Sequence, residues 1–206
     1  MTGKLAVPRS QRPIGVVLAH GAGAGQTHPW MTAMRTQLAV LGYATLTFNY
    51  RYAEAGRRAP DRLPVLTEVH VAAAERMAGY SDRVVLAGKS MGGRVGGHVA
   101  ADQLVDAAGV AYFGYPLVAV GRWDPRDTSH LTTIAVPQLF VSGTRDRMGP
   151  LDLLKPVVGS VPNGTLVSIE GGDHSFVPLK SSGRSLDDTL VEAAAAFDRW
   201  CRGRIG

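Results

Sequence analysis

Six short, largely apolar runs recur along the chain: Ile14 to Ala19, Ala44 to Phe48, Val84 to Ala87, Val110 to Phe113, Gln138 to Val141 and Leu166 to Ile169. Taken together they are too unbroken for strands with one wet face, so strands made from them need cover on both sides, as in a parallel sheet. The intervening segments supply that cover. One helical pattern opens at Pro29, a favourable first-turn residue, and stops at Gly42; a second runs from Pro64 to Gly79. A third follows Ser90, with Met91, Val95 and Val99 spaced by four. The last starts at Ser185, where Ser-Leu-Asp-Asp reads as a capping box, and carries Leu186, Leu190, Ala194, Phe197 and Cys201 on one stripe. Strand alternating with helix predicts a doubly wound α/β fold, a mainly parallel sheet of about six strands in one domain spanning residues 1–206.

Charge and cysteine content narrow the functional classes. The net charge of +5 comes from 22 Lys and Arg against 17 Asp and Glu, scattered rather than gathered into a basic tract. The nearest cluster, Arg57, Arg58 and Arg62, falls in a Pro-containing loop and reads as solvated, so no nucleic-acid partner is expected. The lone Cys201 permits neither an intramolecular disulfide nor a thiolate metal cluster. "MTGKLAVPRSQRP" has no apolar signal region and no window reaches a membrane span, so the expected location is cytoplasmic, without membrane association.

The stretch Val84 to Gly93, "VVLAGKSMGG", contains two competing motifs. A phosphate-binding loop, G-x-x-x-x-G-K-S, requires glycine five residues before Gly88, and that position is Arg83. The glycine-rich "HGAGAGQTH", His20 to His28, fails as a dinucleotide fingerprint. Gln26 and His28 stand where its third glycine belongs, and no acidic residue occurs between Leu41 and Tyr50. No cofactor is therefore expected.

Gly88-Lys89-Ser90-Met91-Gly92 does fit G-x-S-x-G, and its context is right: a buried-type strand before it, a helix after it. Serine is a weak nucleophile and needs a base oriented by an acid. Asp146 and His174 follow in that order, each just beyond a strand and separated by one strand-helix-strand step. Asp124 and Asp127 are the second choice for the acid, whereas Asp173, adjoining His174, reads as a loop-shaping residue. The backbone N–H groups of Ala22 and Met91 are candidates for an oxyanion hole, with His20 a structural support for the glycine loop. His70 and His98 fall on helices, His130 and His28 in connections, and no two histidines have the i, i+4 spacing of a metal pair, so no metal is expected.

With these motifs in view, "HGAGAGQTHPWM", "FNYRY", "GKSMGGR", "VSGTRD" and "GGDHSF", spread between Ala19 and Phe176, the chain resembles compact α/β-hydrolases related to dienelactone hydrolase. It is especially similar to small predicted hydrolases that resemble a testis-expressed protein and a chromatin acetyltransferase complex subunit. The resemblance implies a triad of Ser90, Asp146 and His174 on a core without a cap. Serine replaces the cysteine nucleophile of dienelactone hydrolase, which removes the basis for carrying over its substrate. The expected activity is hydrolysis of a small-molecule acyl ester, short-chained because no sizeable lid is encoded. The alternative is a non-catalytic binding module on the same scaffold, and acyl transfer to another acceptor would use the same machinery. Arg94 and Arg51 are candidates for contacting an acidic substrate, with salt-bridged structural roles as the competing reading.

Overall fold

A computed structural model describes residues 2–119 and 121–206. Its strands are β1 (Gly3–Ala6), β2 (Ile14–Ala19), β3 (Ala44–Phe48), β4 (Arg83–Lys89), β5 (Gly109–Phe113), β6 (Gln138–Gly143) and β7 (Gly164–Ile169). The helices are α1 (Pro29–Val40), α2 (Arg51–Glu54), α3 (Leu63–Ala78), α4 (Met91–Ala101), α5 (Ser129–Thr133), α6 (Leu151–Ser160) and α7 (Leu186–Arg204). The sheet has seven strands in the order β1-β3-β2-β4-β5-β6-β7. All neighbours are parallel except β1, which pairs antiparallel with β3 from Gly3 opposite Phe48 to Ala6 opposite Thr45.

The expected doubly wound architecture is present, with β1 added at one edge. Both faces of the inner strands are inaccessible, as their composition requires: Val16, Val17, Leu18 and Ala19 are each 0% exposed, and so are Thr45 and Thr47 of β3. Alternate residues feed two layers. Val16, Leu18, Val85, Ala87, Phe113 and Val141 pack against α1 and α7, joined by Trp30, Met34, Leu190 and Phe197. Val17, Ala19, Leu86 and Tyr112 face the other way, toward α3, α4, α5 and α6. Burial of this kind stabilises by roughly 25 cal/mol per Å² of apolar surface, which makes both layers structural necessities.

Local sequence sets the helix ends. Pro29 begins α1, where a missing N–H costs nothing, and the His28 side chain accepts from the Trp30 N–H. Ser185 and Asp188 cap α7 reciprocally through both side chains. No described helix is long and apolar enough to cross a membrane.

Parallel pairing brings the carboxyl ends of the strands to one rim. Ala19 lies opposite Gly88, Lys89 opposite Phe113, Phe113 opposite Val141 and Gly143 opposite Ile169. The winding reverses between β2 and β4, and such switch points open a crevice beyond the strand ends.

Candidate active site

Ser90 stands between β4 and α4 with φ 51° and ψ −117°, a conformation that side-chain-bearing residues avoid. Its N–H donates to the Phe113 carbonyl at 3.0 Å. The crossing backbones leave no room beside it. A Cβ on Gly92 would lie 2.5 Å from the Ala19 oxygen, and one on Gly88 would fall on the Gly93 nitrogen. The glycines of G-x-S-x-G are thus demanded by backbone contact, and the bend they permit lifts the serine hydroxyl off the sheet.

Ser90 Oγ is 2.9 Å from His174 Nε2, and His174 Nδ1 is 2.9 Å from Asp146 Oδ2 and 3.0 Å from Oδ1. The structure therefore brings together the three residues singled out in the sequence. Asp146 sits in the turn after β6, where its Oδ1 also accepts from the Met148 N–H at 2.8 Å and the Gly149 N–H at 3.1 Å. Its side chain is 0% exposed against 23% for His174. With the carboxylate accepting at Nδ1, the network assigns the donor tautomer there and leaves Nε2 to accept from the serine hydroxyl.

The His174 loop is tied from four directions. Asp173 Oδ1 accepts from the Ser175 and Val177 amides at 2.8 and 3.0 Å, the loop-shaping part expected of it. Trp30 Nε1 donates to the Ser175 carbonyl, Thr189 Oγ1 to the Phe176 carbonyl, and Lys89 Nζ to the His174 carbonyl at 2.7 Å. Lys89 is buried, with its ammonium 5.9 Å from the centre of the Trp30 ring. Burial pushes its pKa down to about 8, although Asp146 and Asp173 pull the other way. Sequence reasoning missed this lysine; the available signal was a cation ending an otherwise apolar strand. Asp124 and Asp127 lie exposed in the segment after β5, where Asp127 accepts from the Ser129 N–H and hydroxyl, so neither orients His174.

The glycine loop is held by "FNYRY". Asn49 Oδ1 accepts from the Gln26 N–H at 2.7 Å, the Tyr50 N–H donates to His20 Nε2 at 3.3 Å, and the Tyr52 hydroxyl donates to the Gly21 carbonyl at 3.3 Å. His20 Nδ1 bonds the Gly21 carbonyl at 2.8 Å, and burial lowers the pKa of the imidazole, consistent with a prop for the loop. Asn49 and Tyr52 were not foreseen. Among the described residues, neither the Ala22 nor the Met91 N–H meets a protein acceptor, and both residues line a cavity with Ser90. Of the other histidines, His28 lines the rim beside Ser90 and three lie elsewhere. His70 is buried against the Tyr50 hydroxyl, its pKa driven down to about 3, while His98 and His130 stack at 3.9 Å.

Two hollows meet at Ser90. One, of about 300 Å³, is lined by His28, Trp30, Met31, Lys89 and His174. The other, of about 310 Å³, lies on the far side of the serine between Leu63, Leu66, Met91, Arg94, Arg126 and Met148. Arg51 pairs with Glu68 at the surface, as the salt-bridged reading expects. Arg94 makes no ion pair among the described residues.

Solved structures share this arrangement of chain. An alpha-beta serine hydrolase homologue from Coxiella burnetii superposes with a TM-score of 0.72 at 21% identity, over 96% of this chain and 89% of its own. Dienelactone hydrolase from Anabaena variabilis gives 0.74 at 20% identity, over 99% and 92%. A serine hydrolase without a lid from Xanthomonas campestris gives 0.73 at 19%, over 98% and 88%. At these identities the likeness is one of fold. The model of the alpha/beta hydrolase domain matches residues 12–202, and the chain belongs to that family.

Proposed function

We propose that the protein is a serine hydrolase of carboxylic esters. Ser90 Oγ attacks the ester carbonyl as His174 Nε2 takes its proton, and Asp146 holds the imidazole and stabilises its cation. The N–H groups of Ala22 and Met91 receive the developing oxyanion. His174 then protonates the departing alkoxide, and water, activated by the same imidazole, releases the acid and restores Ser90. The observation that carries the reading is the unbroken relay from a serine at φ 51° through His174 to an inaccessible carboxylate, with steps of 2.9 Å each.

Two hollows of about 300 and 310 Å³ flanking Ser90 suit small acyl and alcohol groups better than long lipid chains. We place this activity in one cytoplasmic domain without metal, cofactor, nucleic-acid or membrane partner. A fluorophosphonate probe should label the wild type and spare Ser90→Ala. Turnover of p-nitrophenyl acetate should fall by about 10³-fold or more in that variant, as removal of a triad member does elsewhere. A folded wild type that neither labels nor turns over would instead be a binding module on a hydrolase scaffold.

A further inference from the structure

We infer that Arg94, assisted by Arg126, forms a carboxylate-binding subsite on the acyl side of Ser90, so that the ester accepted is the monoester of a short dicarboxylic acid. The inference rests on Ser90 being the nucleophile and adds the class of acyl group that Ser90 takes.

The position of Arg94 is dictated by helix geometry. Its N–H bonds the Ser90 carbonyl at 3.1 Å, one turn into α4, and long helical side chains lean toward the helix N-terminus. Arg94 thus shares a hollow with Ser90, Ala22 and Met91. Arg126 lines the same hollow from the segment after β5, and Leu63, Leu66 and Met148 supply an apolar wall. A hydrocarbon spacer ending in an anion fits such a lining.

No carboxylate among the described residues pairs with the guanidinium. Arg94 Nε is buried without a hydrogen-bond partner among the described residues. The hydroxyl of Tyr115, itself 1% exposed, is a neutral group that the Arg94 guanidinium faces, and it meets no other partner among the described residues. Most other arginines near a polar group are spent, as Arg51 is on Glu68 and Arg184 on Glu192. A cation in the first turn of a helix also opposes the helix dipole, and no acidic residue offsets it in that turn of α4. Leaving such a charge unpaired is costly, and an incoming anion removes the cost.

The charged neighbours leave the site net attractive to anions. Arg94 and Arg126 face one carboxylate in the lining, Asp61, whose Oδ1 is held by Arg57 at 2.6 Å while its Oδ2 is buried without a partner among the described residues, and Asp127 is exposed and bonded to Ser129. Behind Arg94, His98 and His130 are held toward their neutral forms by burial and by the arginine itself. The direction of the acyl group follows from the reaction. His174 must protonate the leaving oxygen, so the alcohol occupies the hollow lined by His174, and the acyl chain takes the one lined by Arg94.

The test compares p-nitrophenyl hemiglutarate with its methyl-capped neutral counterpart. Wild type should prefer the anionic ester by about tenfold or more in kcat/KM, within the range of a charge-assisted hydrogen bond. Arg94→Met should lose at least tenfold more on the anionic than on the capped ester, and Arg94→Lys should recover part of the difference. Glutarate should inhibit wild type competitively, and less so Arg126→Gln, whose exposed side chain makes misfolding a minor concern. Equal losses on both esters, or a fluorophosphonate-labelled wild type without preference, would overturn the subsite while leaving the esterase reading intact. A wild type that neither labels nor hydrolyses either ester would remove both.

Discussion

Two cations flank the same serine, five residues apart, and the fold treats them differently. Lys89 points to the side of His174, where it donates to that residue's carbonyl and lies near the Trp30 ring. Arg94 lines the other hollow, and no carboxylate among the described residues pairs with it. A buried charge that is matched by the protein's own groups serves the architecture; one left unmatched beside a reactive group is an invitation to a ligand. On the proposed function, the difference divides the rim into a half that prepares the imidazole and a half that reads the acyl group.

The largest expected effect lies on the first half. Asp146→Asn should lower kcat on any ester by on the order of 10⁴-fold, because the wrong imidazole tautomer would face the serine. A loss below tenfold would show that the Lys89 side needs no oriented base and would erase the contrast. Next comes the glycine bend that separates the halves: Gly92→Ala should destabilise by ~3 kcal/mol in denaturant melts, since its Cβ would lie 2.5 Å from the Ala19 oxygen. A melt within experimental error of wild type would mean that the bend tolerates a side chain.

The Lys89 side has its own pH signature. Burial lowers the ammonium pKa from 10.5 to about 8, so between those values the unfolded chain binds the proton that the folded chain has released. Stability should rise with pH across that window by on the order of 3 kcal/mol and level off above it. Lys89→Met should abolish the slope, and a slope that persists in the variant must come from another group. The smallest effect belongs to Arg94. Raising salt from low to about 0.5 M should weaken kcat/KM for an anionic ester by about threefold while sparing a neutral one. Equal sensitivity would blur the two halves.

What the sequence disclosed and concealed follows the same division between local and distant causes. The inner strands and the serine bend were legible because their signals are local: unbroken apolar runs, two glycines around Ser90, and an acid and a base each just past a strand. β1 was not, since Gly3 to Ala6 is a half-exposed tetrapeptide that becomes a strand only when β3 offers its edge. Lys89 and the supports Asn49 and Tyr52 were concealed for a related reason. Their partners are His174, Gln26 and Gly21, far away along the chain, and no periodicity records a single long-range hydrogen bond. Arg94 was visible as a candidate, but only the folded chain shows that no described residue gives it the salt bridge that Arg51 has.

The order of strands has one further consequence. Ser90 follows β4, deep in the sheet, whereas the imidazole is carried on the loop after β7, a border strand with β6 as its lone neighbour. Border strands fray at smaller free-energy cost than interior ones, so their amides exchange with solvent ahead of global melting. On warming, the proton acceptor should drift from its hydroxyl while most of the sheet is still assembled, and the protein should fall silent before it unfolds.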